Sequence, residues 1–297
     1  MDYTKQKEKL LDQLNAASGI TFEITDSSYN EEETISKLKD MLSFYNMSDN
    51  KSKFYLNYLQ GKLPLEDVSR SITRFHIDES AHICVYYIET KACNAFSKEA
   101  IALLKSVLPS SKSNVLEIND HSILILKNVD DKFSTDELYA EASEIVGVLE
   151  TEAFTSAYIS YNKVCNNFVC LPKEYQDVTV AMKIGRMFYG DEQIFNFANL
   201  GLGRMLYNLP KEEIIAFFDN NCAKEVFTSL DEETYNILKT FFENDLSVAE
   251  TSRKLFMHRN TLIYKLDKFA ATSGLDVRKF SDAQICQIGL MLSKMSD

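Results

Sequence analysis

Residues 247–269 read SVAETSRKLFMHRNTLIYKLDKF. Apolar residues at helical spacing predict one helix over 248–256, then only Met257 and His258, then a second helix over 259–271. Ser247 followed three residues later by Glu250 has capping-box spacing, and Ser229 with Glu232 repeats it one helix earlier. Two short helices joined so tightly must cross steeply, which is the helix-turn-helix arrangement. In the second helix Leu262, Leu266 and Phe269 make an apolar stripe, while Asn260, Thr261, Tyr264, Lys265 and Lys268 share the opposite face. An amide, a hydroxyl, a phenol and two ammonium groups are what a major-groove helix requires: tips for base edges, cations for phosphates. Asn260, Thr261 and Tyr264 are therefore candidates for base edges or nearby phosphates, and Arg259, Lys265 and Lys268 for charge neutralisation. His258, at the helix entry, suits a capping hydrogen bond or a phosphate contact, and Ser247 at the start of the first helix completes the set. The competing reading is a solvated helix face in an ordinary bundle.

Charge separates this segment from the rest. The 297-residue chain carries 32 basic and 44 acidic residues, a net −12, which spread evenly would repel nucleic acid. Between Ser247 and Lys279, however, Arg253, Lys254, Arg259, Lys265, Lys268, Arg278 and Lys279 face only Glu250, Asp267 and Asp276, a local +4.

Upstream the periodicity changes twice. Through about residue 60 apolar residues recur at three and four around a break at Ser18-Gly19, so residues 1–75 read as a helical N-terminal region. His82 to Ile88 is then continuously apolar or aromatic and predicts a buried strand. A helix over 96–108, strands over 114–118 and 122–126 around Asn119-Asp120-His121, a helix over 134–149, a strand near 154–160, a helix over 173–188 and a short strand at 193–195 follow. That βαββαβ order implies an antiparallel sheet with helices packed on it, ferredoxin-like or cyclase-like, over 80–208. From residue 199 the pattern is helical: a connector over 209–229, then the all-α domain over 230–297. The fold class is therefore α+β.

His258-Arg259-Asn260-Thr261-Leu262 with Tyr264 and Leu266 resembles the HRNTLxYRL signature of the bacterial PucR/CdaR regulators, whose C-terminal domain is a helix-turn-helix. The resemblance covers about 230–297, including LDEETYNILKTFFEND and SGLDVRKFSDA. Lys265 stands where the family usually has arginine; an ammonium cannot make the planar two-pronged contact of a guanidinium, which points it to phosphate rather than guanine. More weakly, Ala181 to Gly185 and FNFANLGLGRML at 195–206 are similar to the end of the family's middle domain, a degenerate relative of the diguanylate cyclase fold. The resemblance implies a sensing or dimerising module at 80–208 and activation of a nearby catabolic operon.

Enzyme signatures are missing. The hairpin LEINDHSIL has no glycine and none of the GG[DE]EF residues that a working cyclase uses to approach nucleotide and hold magnesium. Gly201-Leu202-Gly203 lacks the third glycine of a dinucleotide fingerprint and reads as helix-start packing; no phosphate loop, HExxH or GxSxG occurs. His76, His82 and His121 are scattered, and the six cysteines (84, 93, 165, 170, 222, 286) form no CxxC pair, so no metal or cofactor is expected and the thiols read as small buried groups. The longest stretch without Asp, Glu, Lys or Arg is eleven residues, and the start has no secretion-signal order, so the chain reads as cytoplasmic with no membrane partner. The expected partners are duplex DNA, a second copy in a homodimer or higher even oligomer, a small-molecule effector, and RNA polymerase. The alternatives are a ligand-sensing or protein-interaction module that does not touch DNA, and an unrecognised enzyme in the middle domain.

Overall fold

The computed structural model describes residues 3–18, 22–24, 31–45, 47–91, 95–108 and 112–295, so Gly19 and Cys93 lie outside the described residues. The chain divides into two compact units, Met1–Val178 and Thr179–Asp297. No helix among the described residues is long and apolar enough to cross a membrane.

The first unit opens with helices α1 (Tyr3–Ser18), α2 (Glu31–Tyr45), α3 (Met47–Leu59) and α4 (Leu65–Arg74). Its second half is β1 (His82–Thr90), α5 (Lys98–Val107), β2 (Ser113–Asn119), β3 (Ser122–Val129), α6 (Thr135–Thr151) and β4 (Ala157–Tyr161), with α7 (Leu171–Phe188) beginning after it. The strands lie in the order β2-β3-β1-β4, each neighbouring pair antiparallel. This is the ferredoxin-like arrangement that the alternation of strands and helices predicted.

The uninterrupted apolar run of β1 follows from cover on both sides. Cys84, Tyr86 and Ile88 share one face by strand alternation, and there the Tyr86 hydroxyl donates to Glu141 Oε2 of α6 at 2.8 Å. Lys127 of β3 forms an ion pair with the same carboxylate. On the other face the Tyr87 ring meets Tyr175 of α7 edge-on, 6.4 Å between centroids.

Helix α6 carries a complete capping box: Ser134 Oγ accepts from the Glu137 amide at 3.2 Å, and Glu137 Oε2 accepts from the Ser134 amide at 2.7 Å. The Ser134 amide, and after it the Ser134 hydroxyl, by hydrogen-bonding to the carboxyl hold Glu137 below its ordinary range. Strand β4 starts three residues later than the expected 154, because Phe154 adopts φ +50 in the turn leaving α6.

In the second unit β5 (Ile194–Asn196) is followed by α8 (Gly201–Tyr207), α9 (Lys211–Asn221), α10 (Lys224–Thr228), α11 (Glu232–Glu243), α12 (Val248–Lys254), α13 (Arg259–Ser273) and α14 (Phe280–Leu292). The two upstream stretches that resemble the regulator family meet here. Phe195 is seated on Gly185, where an added Cβ would come within 2.2 Å of the ring. Gly201 takes φ +45 and Gly203 lies under the Phe188 and Tyr189 rings, so one glycine serves the backbone and the other close packing.

Cys84, Cys165, Cys222 and Cys286 are buried and Cys170 is half-buried; burial pushes the Cys84 and Cys286 thiols up to about 12, where little reactive thiolate forms.

Candidate nucleic-acid interface

Helices α11, α12 and α13 pack into a three-helix unit whose core joins Ile237, Leu238 and Phe241 to Leu262, Leu266 and Phe269, all buried. Burying that stripe of α13 fixes its rotation, and the other side of the helix must then face water. Asn260, Thr261 and Tyr264 are exposed there, Tyr264 by 68%. Their side chains make no hydrogen bond among the described residues.

The helix begins at His258, whose Nδ1 accepts from the Asn260 amide at 3.3 Å. With Nδ1 accepting, the neutral imidazole carries its proton on Nε2, a donor left for another partner. At the other end Gly274 closes α13 in the left-handed conformation, φ +76.

Two expectations about helix starts need correcting. Ser247 does cap α12, its Oγ accepting from the Glu250 amide at 3.3 Å, but the Glu250 carboxylate turns to Arg253 at 2.9 Å and the box stays half made. Ser229 is no N-cap: it ends α10, and Asp231 caps α11 by accepting from the Thr234 amide at 2.6 Å. That hydrogen bond, then the fields of Lys265 and Lys268, hold the Asp231 carboxyl below its usual range.

The connection between the helices is also longer than expected. Helix α12 stops at Lys254, and Leu255 to His258 form the turn, with Phe256 at φ +52 and 98% exposed. Apolar spacing had placed Phe256 on the helix. The signal against it is geometric: two residues cannot both reverse the chain and cap the next helix.

The cations divide into two groups. Lys265 Nζ lies 2.5 Å from Glu233 Oε2 on α11, and Lys254 lies 3.1 Å from Glu243 on the same helix. Arg253 holds Glu250, and Arg278 holds Asp276 at 2.6 Å and Asp267 at 2.9 Å. Arg259, Lys268 and Lys279 make no side-chain hydrogen bond or ion pair among the described residues. Lys265 and Lys268 also line a groove with Asp231, Thr234 and Thr272, so they face the start of α11. The end of α13 thus gathers His258, Arg259, Asn260, Thr261 and Tyr264; Lys268 follows on the same helix, Lys265 is turned inward, and Ser247 sits on α12.

Residues 234–292 match the PucR C-terminal helix-turn-helix domain. Among curated proteins, the chain is 24% identical over 191 residues to the Proline-responsive transcriptional activator PutR of Bacillus subtilis (strain 168), covering 61% of this chain and 46% of that protein. It is 20% identical over 137 residues to the Purine catabolism regulatory protein of the same organism, covering 45% of this chain and 25% of that one. It is 35% identical over 57 residues to the Carbohydrate diacid regulator of Escherichia coli (strain K12), covering 19% and 15%. The chain spans about half the length, or less, of the curated relatives it matches. The exposed face of α13 therefore lies within a stretch that matches a PucR-type helix-turn-helix domain, and these three relatives are described as a transcriptional activator and two regulators.

Proposed function

We propose that the chain is a sequence-specific, DNA-binding transcriptional regulator of a catabolic operon, an activator that responds to a small molecule. The observation that carries this reading is the unpartnered, exposed row Asn260, Thr261 and Tyr264 on a helix that lies inside the matched domain. In this reading α13 enters the major groove by its N-terminal end. Asn260, Thr261 and Tyr264 meet base edges or adjacent phosphates; Arg259, Lys268 and the free nitrogen of His258 meet the backbone. Lys265 joins them by exchanging Glu233 for a phosphate, and the Ser247 hydroxyl, still able to donate, contacts phosphate from the start of α12. No catalytic step and no cofactor enter this account.

One helix-turn-helix buries too little surface for tight specific binding, so two copies reading half-sites about one helical turn apart are part of the proposal. Residues 80–208 are proposed to sense the effector or hold the copies together, and activation to proceed through RNA polymerase. The activator sense is supported by the relative described as a proline-responsive transcriptional activator. A module that senses ligand or protein without touching DNA is favoured by one observation, the pairing of four of the seven local cations with the protein's own acids.

Selection of genomic fragments by the purified protein separates the two. Enrichment of fragments sharing a two-fold sequence is expected. Asn260→Ala should lower affinity for them by roughly ten- to a hundredfold, as befits a contact of about 1–3 kcal/mol, with the unfolding temperature unchanged. No enrichment, with and without candidate effectors, contradicts the proposal.

A further inference from the structure

Phe256 has no role in the reader described above, yet it occupies an unfavourable place. Its N–H donates to Arg253 O at 3.2 Å and the next amide, Met257, to Ser252 O at 2.9 Å, the pattern that closes a helix through one left-handed residue. Glycine takes that conformation without steric cost, whereas a phenylalanine at φ +52 is strained. The side chain recovers nothing locally, since it is 98% exposed and its ring meets no other ring among the described residues. A bulky apolar residue held out into water by a strained turn points to a function outside the free protein.

Its position says which. Phe256 is two residues before His258, the cap of α13, and three before Arg259, hence within about 10 Å of chain from the end that carries Asn260 and Thr261. Any duplex engaged by those residues passes beside the turn. The apolar surfaces a duplex offers at that distance are deoxyribose C–H groups and the thymine methyl, which a phenyl ring covers well.

We propose that Phe256 is a further DNA-contacting residue, its ring lying against sugar and thymine methyl at the edge of the groove that α13 enters. The inference rests on the DNA-binding reading above. A phenyl displaces no counterion, so its share of the affinity is independent of salt, unlike that of Arg259 or Lys268.

The test is duplex binding by the full chain, followed by fluorescence anisotropy on a mixed-sequence, thymine-containing duplex across a salt series, with thermal unfolding measured alongside. Phe256→Gly should weaken binding by about tenfold at every salt concentration, leave the slope of log affinity against log salt as in the wild type, and unfold at the same or a higher temperature. Phe256→Tyr, which keeps the ring, should stay within about twofold of wild type. A Phe256→Gly chain that binds like wild type overturns this inference and leaves the DNA-binding reading standing. A wild-type chain that binds no duplex at low salt overturns both.

Discussion

The amide of Asn260 offers two donors and an acceptor to solvent, and the hydroxyls of Thr261 and Tyr264 stand beside it unused. That much is legible from spacing alone, because burial of Leu262, Leu266 and Phe269 fixes which way the polar residues point. The state of the cations is not legible in the same way. Counting charge over 247–279 omits Glu233 and Glu243, which belong to α11 in sequence but reach Lys265 and Lys254 in space. Lys265 thus has a competitor for any phosphate. Glu233→Gln should tighten duplex binding by roughly two- to fivefold at low salt, the scale of a partly exposed ion pair, and the gain should vanish in a Lys265→Met background. A gain that persists without Lys265 would show that Glu233 acts on DNA through its charge alone.

At the scale of elements, the strands and most helices follow from periodicity, and the discrepancies have local causes. Two of the displaced boundaries, at Phe154 and at Phe256, involve a phenylalanine at positive φ, where apolar character extends an apparent strand or helix that the backbone has already left. The Ser229–Glu232 spacing fails as a cap because Asp231, two residues closer to α11, offers the better-placed acceptor. Close approach between helices is the other hidden quantity. Gly289 of α14 packs beneath Phe227 of α10, where a Cβ would sit 2.5 Å from the ring. Gly289→Ala must push that ring aside and should destabilise the unit by about 1–3 kcal/mol, read as a lower midpoint in urea unfolding; an unchanged midpoint would mean that α10 moves away freely.

For the molecule as a whole, a net charge of −12 is at first sight the wrong sign for the DNA binding proposed. In the proposed reading it is tolerated because recognition is local: α13 carries Arg259 at its start and Lys268 further along, neither in a side-chain hydrogen bond or ion pair among the described residues, while many of the acids lie elsewhere on the chain. The ferredoxin-like sheet was readable in the order of strands and helices, and the helix-turn-helix in a single stretch of 23 residues. The effector was not, since no run of residues in the first unit carries a chemistry that selects one. The most direct measurement is the salt dependence of duplex binding by the intact chain. Phosphate neutralisation by α13 and its neighbours predicts that log affinity falls linearly with log salt, at a slope of about −0.9 for each phosphate contacted, and that Arg259→Ala makes the slope shallower by about one. Affinity that is absent at low salt, or indifferent to salt, would contradict the account.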